Sequence, residues 1–563
     1  MRRGMIALGT ALLSTTSALA QQSGSPALTT PPVAPPRAAE PVVPPPEATP
    51  LRSVVPAEAA SIWLTPASVT VIGGLPALAS EERALVTPLE GAEISASQLF
   101  ETAAKIEAMY AAKGYVLVRA VVPPQNLAKT GAAVRINIIN GRVAGADVAG
   151  LPHRVKDVVS RHVARMTDRP WLTRTQLERA LLLAGDAAGI ALRTTIEPGR
   201  EAGTVRLVLA GAGPALSVDA GFDNAVGGAL GGSVFTLSPV LRSALGGGET
   251  IYGIVGGAPF DGFVGRNSPR RFAALGVVVP IGRDGLRFST EGLVARTRPI
   301  VPTGVLATES RYVRTAFKLS YPLIRSRARD LTIEAGLDLV DERQIARDFG
   351  VLLYQDRLRP LRLRLRYAAR LPGASYALSG ELSQGIAGLG ARDARNASLA
   401  EPVSRTLAPA DFTKVEVTLD AVSALAGRWT VAARAQGQAS LGGPLFGSEQ
   451  MAITGPRALS GYDLGGLSGD NAAFARLELR YGFDLGKTAT FEPYAFGASG
   501  VVQRLQPTAV ETGVIHAASL GAGARVTVAT NGRPFRIEGE IARGFSDTLS
   551  GNWRFNIGVT VSF

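Results

Sequence analysis

The last segment of the chain alternates strictly between apolar and polar side chains. Successive side chains of a β-strand point to opposite faces, so this alternation predicts a strand with one apolar face. Residues 476–481 and 535–541 show the same period, with charged residues on the second face. One apolar and one charged face are typical of a strand between lipid and water. The apolar set of the last segment is Trp553, Phe555, Ile557, Val559, Val561 and Phe563.

This period-two pattern extends from about residue 212 to the end of the chain and predicts a closed barrel. Backbone N–H and C=O groups cannot be solvated in hydrocarbon, so a sheet that spans a bilayer must join its own edges. Each crossing needs about 9 to 11 residues. The stretch 212–563 therefore allows roughly 14, 16 or 18 antiparallel strands.

A helical period precedes the barrel and marks a first small α/β module. Residues 68–72 read as a strand, and Ser95 with Gln98 forms a capping box for a helix. This helix has an apolar stripe and ends at Gly114. Strands at 115–122 and 134–139 complete the module. The stripe consists of Leu99, Ala103, Ile106 and Tyr110.

The same order recurs between residues 142 and 211. A strand at 143–148 precedes a helix that contains Val155 and Val163. A second capping box, Thr173 with Gln176, starts another helix, which we expect to end at Gly185. Strands at 191–196 and 204–209 close this second module.

The N-terminal residues predict export rather than structure. Residues 1–20 combine a positive start, an apolar stretch and the small-x-small sequence Ala18-Leu19-Ala20, as a signal peptide does. Residues 21–66 are rich in proline and predict an extended spacer without a core. A proline-recognition ligand and partial occupation of the pore remain open alternatives for it. We expect one short helix there, at 57–63.

Composition excludes several classes of protein. The 563 residues include no Cys and three His, so neither disulfides nor a cysteine or histidine metal centre is expected. We read His153 and His162 as structural residues, and His516 has no motif around it. We find no lipase-type or metalloprotease motif and no nucleotide loop, and the small-residue run 521–525 reads as strand. We therefore expect no enzyme, no cofactor, no metal and no nucleic-acid partner, although the net charge is +13.

The first module carries motifs that resemble a known family. They are similar to the first POTRA module of two-partner secretion transporters of the haemolysin secretion/activation type. The turn Pro198-Gly199 before the last strand of the second module resembles that family's second POTRA. The matching positions of the first module are Tyr110, Gly114, Tyr115, Arg119, Ala120, Pro123, Gln125, Leu127 and Gly131.

Residues 455–481 resemble the inward-folding loop that identifies these transporters. The family pattern is Val-Arg-Gly-Tyr/Phe followed by Gly-Asp. In this chain Gly461, Tyr462, Gly469 and Asp470 match the pattern. The Val and Arg positions of the motif hold Leu459 and Ser460.

The family arginine pairs with an aspartate in the barrel wall, and the resemblance places that wall segment at 493–500. Here Phe496 and Gly500 match, but Ala498 holds the aspartate position. Both partners of the ion pair are thus absent together, so no buried charge is left without a partner. The loop must then be held by neutral contacts or by Arg457, which could equally be an exposed loop residue.

The resemblance implies an α+β pair of POTRA modules followed by an all-β transmembrane barrel of 16 antiparallel strands. The expected domains are a signal peptide (1–20), a linker (21–66), module 1 (67–141), module 2 (142–211) and a barrel (212–563). The final Phe563 looks like the C-terminal signal that outer-membrane barrels present to the assembly machinery. The expected location is the outer membrane, among its lipid and lipopolysaccharide, with the modules in the periplasm.

The implied function is secretion of a partner exoprotein, unfolded in the periplasm, through the barrel. An assembly factor for other barrels and a passive porin are the alternatives. The predicted lumen is basic. Its positive charges either hydrate a wide pore or pair with inward acids; the alternative is that they guide an acidic passenger. The inward basic residues singled out for this are Arg362, Arg364 and Arg366.

Overall fold

The computed structural model describes residues 26–31, 55–201, 203–259, 265, 267–509, 511–530, 533–548 and 551–563. The expected signal peptide lies outside these residues, as does most of the proline-rich segment. No helix in the described part of the chain is long and apolar enough to cross a membrane.

Module 1 is a four-stranded sheet covered by two helices. The strand order is β2-β1-β4-β3, in which β1 and β4 run parallel. The predicted capping box at Ser95 and Gln98 is present, and the stripe it introduces is buried against the sheet. The elements are β1 (Trp63–Ile72), α2 (Ala79–Val86), β2 (Ile94–Ser95), α3 (Ala96–Ala112), β3 (Arg119–Val121) and β4 (Thr130–Ile139).

Three details of module 1 differ from the sequence-based expectation. Strand β1 begins at Trp63, before the expected boundary at residue 67, because Leu64 is buried in the module core and pairs with Ile94. The short helix expected at 57–63 is a single 3₁₀ turn, Ala57–Ala60. Strand β3 is also shorter than the predicted 115–122, since only Arg119–Val121 pairs with β4.

Module 2 is a three-stranded sheet with two helices, in the order β5-β7-β6. The capping box at Thr173 and Gln176 is present. The predicted helix end at Gly185 is wrong: Gly185 is buried inside the helix, and Gly189, with φ +66°, ends it. The elements are β5 (Arg142–Gly150), α4 (His153–Val163), α5 (Arg174–Ala188), β6 (Ala191–Pro198) and β7 (Thr204–Ala212).

The rest of the chain forms a closed antiparallel barrel. Two of its strands are interrupted, because β15 and β16 both pair with β14, and β22 and β23 both pair with β24. The eighteen segments thus make sixteen strands, as the resemblance implied. They are β8 (Leu216–Asp223), β9 (Val234–Arg242), β10 (Thr250–Gly257), β11 (Arg270–Ile281), β12 (Leu286–Thr297), β13 (Thr308–Arg325), β14 (Arg329–Ala346), β15 (Val351–Leu358), β16 (Pro360–Leu371), β17 (Ala374–Gly385), β18 (Thr413–Ala424), β19 (Trp429–Ser440), β22 (Asn471–Tyr481), β23 (Phe483–Asp484), β24 (Ala489–Gln503), β25 (Val514–Thr530), β26 (Arg533–Ser546) and β27 (Trp553–Ser562), while β20 (Met451–Ala452) and β21 (Ser468–Gly469) pair inside a loop.

The barrel closes between its last and first strands. Strand β27 pairs with β8, and the backbone N–H of Phe563 donates to Val218 O over 2.9 Å. Of the predicted outward residues of β27, Trp553, Phe555 and Phe563 are exposed, and Ile557, Val559 and Val561 are partly exposed. An exposed apolar face on a closed sheet is what lipid requires.

Module 2 lies against one end of the barrel, here termed the module end. The Asp186 carboxylate in α5 accepts from Arg325 at 2.7 and 2.8 Å, and Arg179 donates to Pro322 O at 2.7 Å. Connections at this end are short turns, such as 326–328. The opposite end, termed the far end, carries the long connections 386–412 and 441–470.

One piece of the proline-rich segment is folded, which corrects the expectation of a spacer without packed contacts. Helix α1 (Pro26–Thr29) contacts β12, β13 and the turn Gly447–Glu449 of the connection 441–470, and Pro26 and Thr29 are buried. The Arg270 guanidinium donates to the Thr29 carbonyl. Since Arg270 is an inward residue of β11, α1 lies inside the barrel.

Candidate functional site

The inward loop comprises residues 441–470, between β19 and β22. Its short strands β20 and β21 pair with each other, and a bridge joins Thr454 to Leu459. Leu459 and Ser460 are buried, with 0% and 1% of their surface exposed. The predicted loop motif therefore lies within the barrel rather than in solvent.

The loop tip packs directly on the barrel wall. The backbone N–H of Gly461 donates to Ser519 Oγ over 2.9 Å. A Cβ at Gly461 would lie 2.5 Å from the backbone N of Gly544, so only glycine fits this approach. The Tyr462 ring packs equally closely on Gly544: a Cβ on Gly544 would be 2.6 Å from Cζ of Tyr462.

The cation that holds the tip comes from the wall and not from the loop. The Arg476 guanidinium donates to Ser460 Oγ over 2.9 Å and to Ala458 O over 3.3 Å. Its other nitrogens bind Glu478 at 2.8 Å and Glu540 at 2.5 Å. The side chain is 2% exposed, so its charge is neutralised by these two carboxylates.

The wall segment predicted from the resemblance surrounds Arg476. The Phe496 ring lies under the guanidinium, 3.6 Å from its carbon to the ring centroid. Ala498 is directly opposite Arg476 in the strand register. Ala498 and Leu459 belong to one buried cluster, and Gly500 lies beside it, where a Cβ would be 2.7 Å from Ala473 O. The structure thus brings together Ser460, Ala498 and a wall arginine.

Arg457 does not replace the family arginine at the tip. It is 67% exposed and pairs at 3.2 Å with Asp420 of β18, which also binds Arg434 at 2.9 Å. Arg457 is therefore a peripheral tether of the loop. Sequence reasoning missed Arg476, although its place on the charged parity of β22 marked it as an inward arginine.

A second attachment joins the start of the loop to the wall through Glu449. Its carboxylate binds Arg362 of β16 at 2.8 Å and Lys414 of β18 at 3.0 Å. Arg362 also binds Asp338 at 2.9 Å, and Arg364 pairs with Glu334 and Glu381. Two of the three arginines singled out for a basic lumen are thus bound to acids. This favours the pairing interpretation over guidance of an acidic passenger.

The Gly-Asp pair of the motif ties together connections at the far end. Asp470 is fully buried and accepts from Arg405 at 3.0 Å, from Leu445 N at 2.7 Å and from Leu505 N at 2.7 Å. These partners belong to three different connections. Gly469 packs so closely on Gln503 O that a Cβ would be 2.7 Å away. Asp470 therefore fixes where the inward loop leaves the far end.

Loop and helix α1 occupy the lumen together. Leu28 of α1 lies beside Gly465 of the loop, and both line a cavity with Tyr354 and Arg405. The apolar residues Leu445 and Phe446 of the loop are fully buried against inward side chains of the wall. The loop and α1 therefore fill part of the lumen in this structure.

The predicted POTRA residues form the junction of the two modules. The Tyr110 hydroxyl donates to Glu82 and accepts from Leu75 N at 2.8 Å. Burial and the Glu82 carboxylate raise the pKa of Tyr110 to about 12. The ring stacks on Trp171 of module 2 at 6.0 Å, and Tyr115 meets both rings edge-on.

The remaining POTRA positions are structural. Gly114 has φ +96° and its carbonyl accepts from Arg174 N of module 2 at 2.8 Å. Gln125 bridges the backbone N and O of Arg135, each at 3.0 Å, and this fixes the connection that contains Pro123. His162 is buried, with Nδ1 2.8 Å from Val158 O, and burial lowers its pKa.

Comparisons with known proteins agree with this geometry. The family model of the haemolysin secretion/activation protein ShlB/FhaC/HecB matches residues 254–526, and the model of the ShlB-type POTRA domain matches residues 68–141. No curated protein matches the chain.

Two solved structures share the fold. CdiB from Escherichia coli is 19% identical with a TM-score of 0.68, covering 100% of this chain and 98% of its own. CdiB from Acinetobacter baumannii is 15% identical with a TM-score of 0.62, covering 100% of this chain and 97% of its own.

The two family matches together span more than half of the chain and include both the first module and the inward loop. In this family the modules are periplasmic, so the module end of the barrel faces the periplasm and the far end faces the cell exterior. Neither the assembly-factor nor the porin alternative is favoured. The chain belongs to the ShlB/FhaC/HecB family of two-partner secretion transporters, which translocate a partner exoprotein across the outer membrane.

Proposed function

We propose that this transporter captures an extended segment of its exoprotein on strand β6 of module 2 and passes it into the barrel lumen. An extended segment can add to a free sheet edge through main-chain hydrogen bonds, which tolerate many sequences. This mode suits a passenger that arrives unfolded. The observation that carries the proposal is the free edge of β6.

Strand β6 is the best acceptor among the described sheet edges of the modules. It has eight residues and pairs on one side only, with β7, in regular register. The edge strands of module 1, β2 and β3, have two and three residues. Strand β5, the other edge of module 2, has two irregularities in its pairing, and its Val143 forms a bridge to Thr167.

An apolar groove runs beside β6 and supports side-chain recognition. It lies between α5 and β6 and includes Leu177, Leu181 and Ile196. The Thr194 hydroxyl in this groove is buried and has no hydrogen-bond partner in the described structure. A buried hydroxyl without a partner costs free energy that a bound main-chain group would recover.

The groove leads to the rim of the pore. Arg327, in the turn between β13 and β14, lines its end, and its backbone N–H donates to Glu178 of α5 over 2.8 Å. Helix α5 thus connects the docking edge with a barrel turn. A segment bound on β6 would start its passage at the periplasmic mouth.

Passage requires the inward loop and α1 to move, because both fill the lumen. We propose that the contacts of Glu449, Ser460 and Asp470 hold the resting state, and that the passenger displaces them. Folding of the exoprotein outside then supplies direction without ATP. We expect no catalytic step, and no cofactor or nucleic acid takes part.

The other proposed partners follow from location. The apolar outer face of the barrel contacts outer-membrane lipid and lipopolysaccharide. The barrel assembly machinery inserts the chain, and Phe563 at the closing seam is the residue we expect it to read.

Site-specific photo-crosslinking tests the capture step. A photoreactive residue at the exposed position Thr195 of β6 should crosslink to the exoprotein encoded by a neighbouring gene during export. The matched control is the exposed position Arg135 of β4, which pairs with Thr70 of β1 and whose backbone on the other side is bound by Gln125, so it should not crosslink. Crosslinks at Arg135 with none at Thr195 would refute docking on β6.

A further inference from the structure

Four arginines from four adjacent strands form one row across the barrel. The strand register places Arg271 opposite Arg296, Arg296 opposite Arg311, and Arg311 opposite Arg343. Gln355 of β15 continues the row beyond Arg343. Adjacent strands are about 4.8 Å apart, so the four positions span roughly 14 Å.

The row is on the outer face of the barrel. In β14 the neighbours Glu342 and Gln344 are buried in the lumen, whereas Arg343 between them is exposed. In β11 the buried residues are Arg270 and Phe272, so Arg271 shares its face with Leu275, which is 63% exposed. Side chains of one parity share a face, so the whole row points away from the lumen.

The row lies at the extracellular edge of the lipid-facing surface. Arg271 and Arg311 are near the start of β11 and β13, and Arg296 and Arg343 are near the end of β12 and β14. All four of these strand ends are at the far end of the barrel. Below it the same outer face is apolar, with Leu275, Val294 and Phe317 exposed by 63%, 44% and 38%. The arginines therefore sit where lipid headgroups of the outer leaflet meet the barrel.

The acids nearest to Arg311 and Arg343 are bound by other arginines. Glu309 binds Arg296 at 2.5 Å and Arg298 at 2.6 Å. Asp341 is 3.7 Å from Arg357 and 3.4 Å from Arg359. Both carboxylates are thus shared between two arginines each.

Arg311 and Arg343 are like charges placed directly opposite each other and exposed on neighbouring strands. Such a cross-strand pair is unfavourable unless an anion lies between its members. Both line a concave pocket of about 420 Å³, together with Arg357 and Arg359 and the acids Asp341 and Glu342. Four arginines against two acids leave the lining of this pocket with a net positive charge.

We propose that this row, with the pocket at Arg311 and Arg343, binds the phosphate groups of a phosphorylated glycolipid of the outer leaflet. The planar guanidinium presents two parallel N–H groups that match phosphate oxygens. The apolar surface directly below the row would contact the acyl chains of the same molecule. The site is separate from passenger capture and would anchor the β11–β15 sector of the barrel in the leaflet.

Lipid titration of the full-length protein in phosphatidylcholine nanodiscs tests the proposal. The probe is bisphosphorylated lipid A, measured by native mass spectrometry, with dephosphorylated lipid A as the second arm. We expect the wild type to bind the phosphorylated form at least about tenfold more tightly, because the charge-assisted bonds need the phosphate. Equal binding of the two forms would overturn the proposal.

Substitution locates the site. The double variant Arg311→Gln/Arg343→Gln should lose that preference, and Arg311→Lys/Arg343→Lys should retain part of it through charge alone. The control Arg200→Gln/Arg428→Gln removes the same charge from exposed periplasmic positions and should bind like the wild type. Heat-modifiable migration on gels confirms that each variant is folded. Unchanged lipid A binding in the folded Arg311→Gln/Arg343→Gln variant would refute the site.

A third arm separates a lipid from a free anion. Millimolar inorganic phosphate should leave lipid A bound, because it cannot make the acyl contacts. Full displacement by inorganic phosphate would show a soluble-anion site and overturn the assignment to a glycolipid.

Discussion

Arg476 in the barrel wall donates a hydrogen bond over 2.9 Å to the hydroxyl of Ser460 at the tip of the inward loop. The resemblance drawn from the sequence implies an arginine in the loop and an aspartate in the wall. In this chain the cation is in the wall, its carboxylates are Glu478 and Glu540, and the loop contributes a neutral acceptor. The tip of the loop can therefore leave the wall without separating the ion pairs of Arg476, whereas the attachment through Glu449 is a buried ion pair that has to break.

The first prediction concerns Ser460 itself. Ser460→Arg should reduce export or assembly, because it places a second guanidinium against Arg476 in a buried site. Adding Ala498→Asp should recover much of the loss, since Ala498 is opposite Arg476 and an aspartate there can pair with the new arginine. A double-mutant cycle of exoprotein level in the medium measures the coupling.

The control is Ser423→Arg, at an exposed position near a periplasmic turn, which should have no effect. If Ser460→Arg exports normally and Ala498→Asp changes nothing on top of it, the packing described for the loop tip is wrong.

The second prediction concerns the wall arginine. Arg476→Gln should destabilise the barrel by about 3–5 kcal/mol, because it leaves Glu478 and Glu540 buried without this partner. The shift in heat-modifiable unfolding measures the loss. Arg480→Gln is the matched control in the same strand: this arginine is 23% exposed and binds the same Glu478 at 2.7 Å, so its loss should cost less, about 1 kcal/mol. Equal shifts for the two variants would contradict the role given to Arg476.

The third prediction separates the modules from the barrel. Deletion of residues 63–211 should leave a heat-modifiable barrel in the outer membrane, because β27 and β8 close its hydrogen bonds without the modules. Export should be abolished, since β6 is removed. Exoprotein in the medium at wild-type level after this deletion would exclude capture by the modules.

The sequence predicts those parts of the fold that follow from local rules. Capping boxes at Ser95 and Thr173 and the alternation in β27 depend on neighbours within a few residues, and all three are present. The predicted helix end at Gly185 is wrong because Gly185 is buried inside α5, and the left-handed residue that ends the helix is Gly189, four residues later. The strand count came from the family resemblance, since length alone allowed several barrels.

The candidate site was only partly predictable, because its contacts join residues that are far apart in the chain. The loop motif identifies Gly461, Tyr462 and Asp470, but their partners, such as Arg405, Ser519 and Gly544, are far away in the chain and are recognised only when the strands are in register. Arg476 has no motif that distinguishes it from other inward arginines. Helix α1 comes from a composition that predicts no packing at all, and only the enclosing barrel gives Pro26 and Thr29 buried surroundings.

The last prediction concerns helix α1. Deleting residues 26–31 should raise the conductance of the barrel in planar bilayers, because α1 fills lumen beside the inward loop and is held by Arg270. Deleting residues 32–37, a neighbouring segment of equal length, is the control, and it should leave the conductance close to that of the wild type. Export should fall only mildly in both variants, because the capture edge on β6 and the loop contacts of Arg476 and Asp470 remain. Unchanged conductance after removal of 26–31 would mean that α1 does not obstruct the pore. Complete loss of export at a normal protein level would instead show that the segment contains a binding element for the exoprotein.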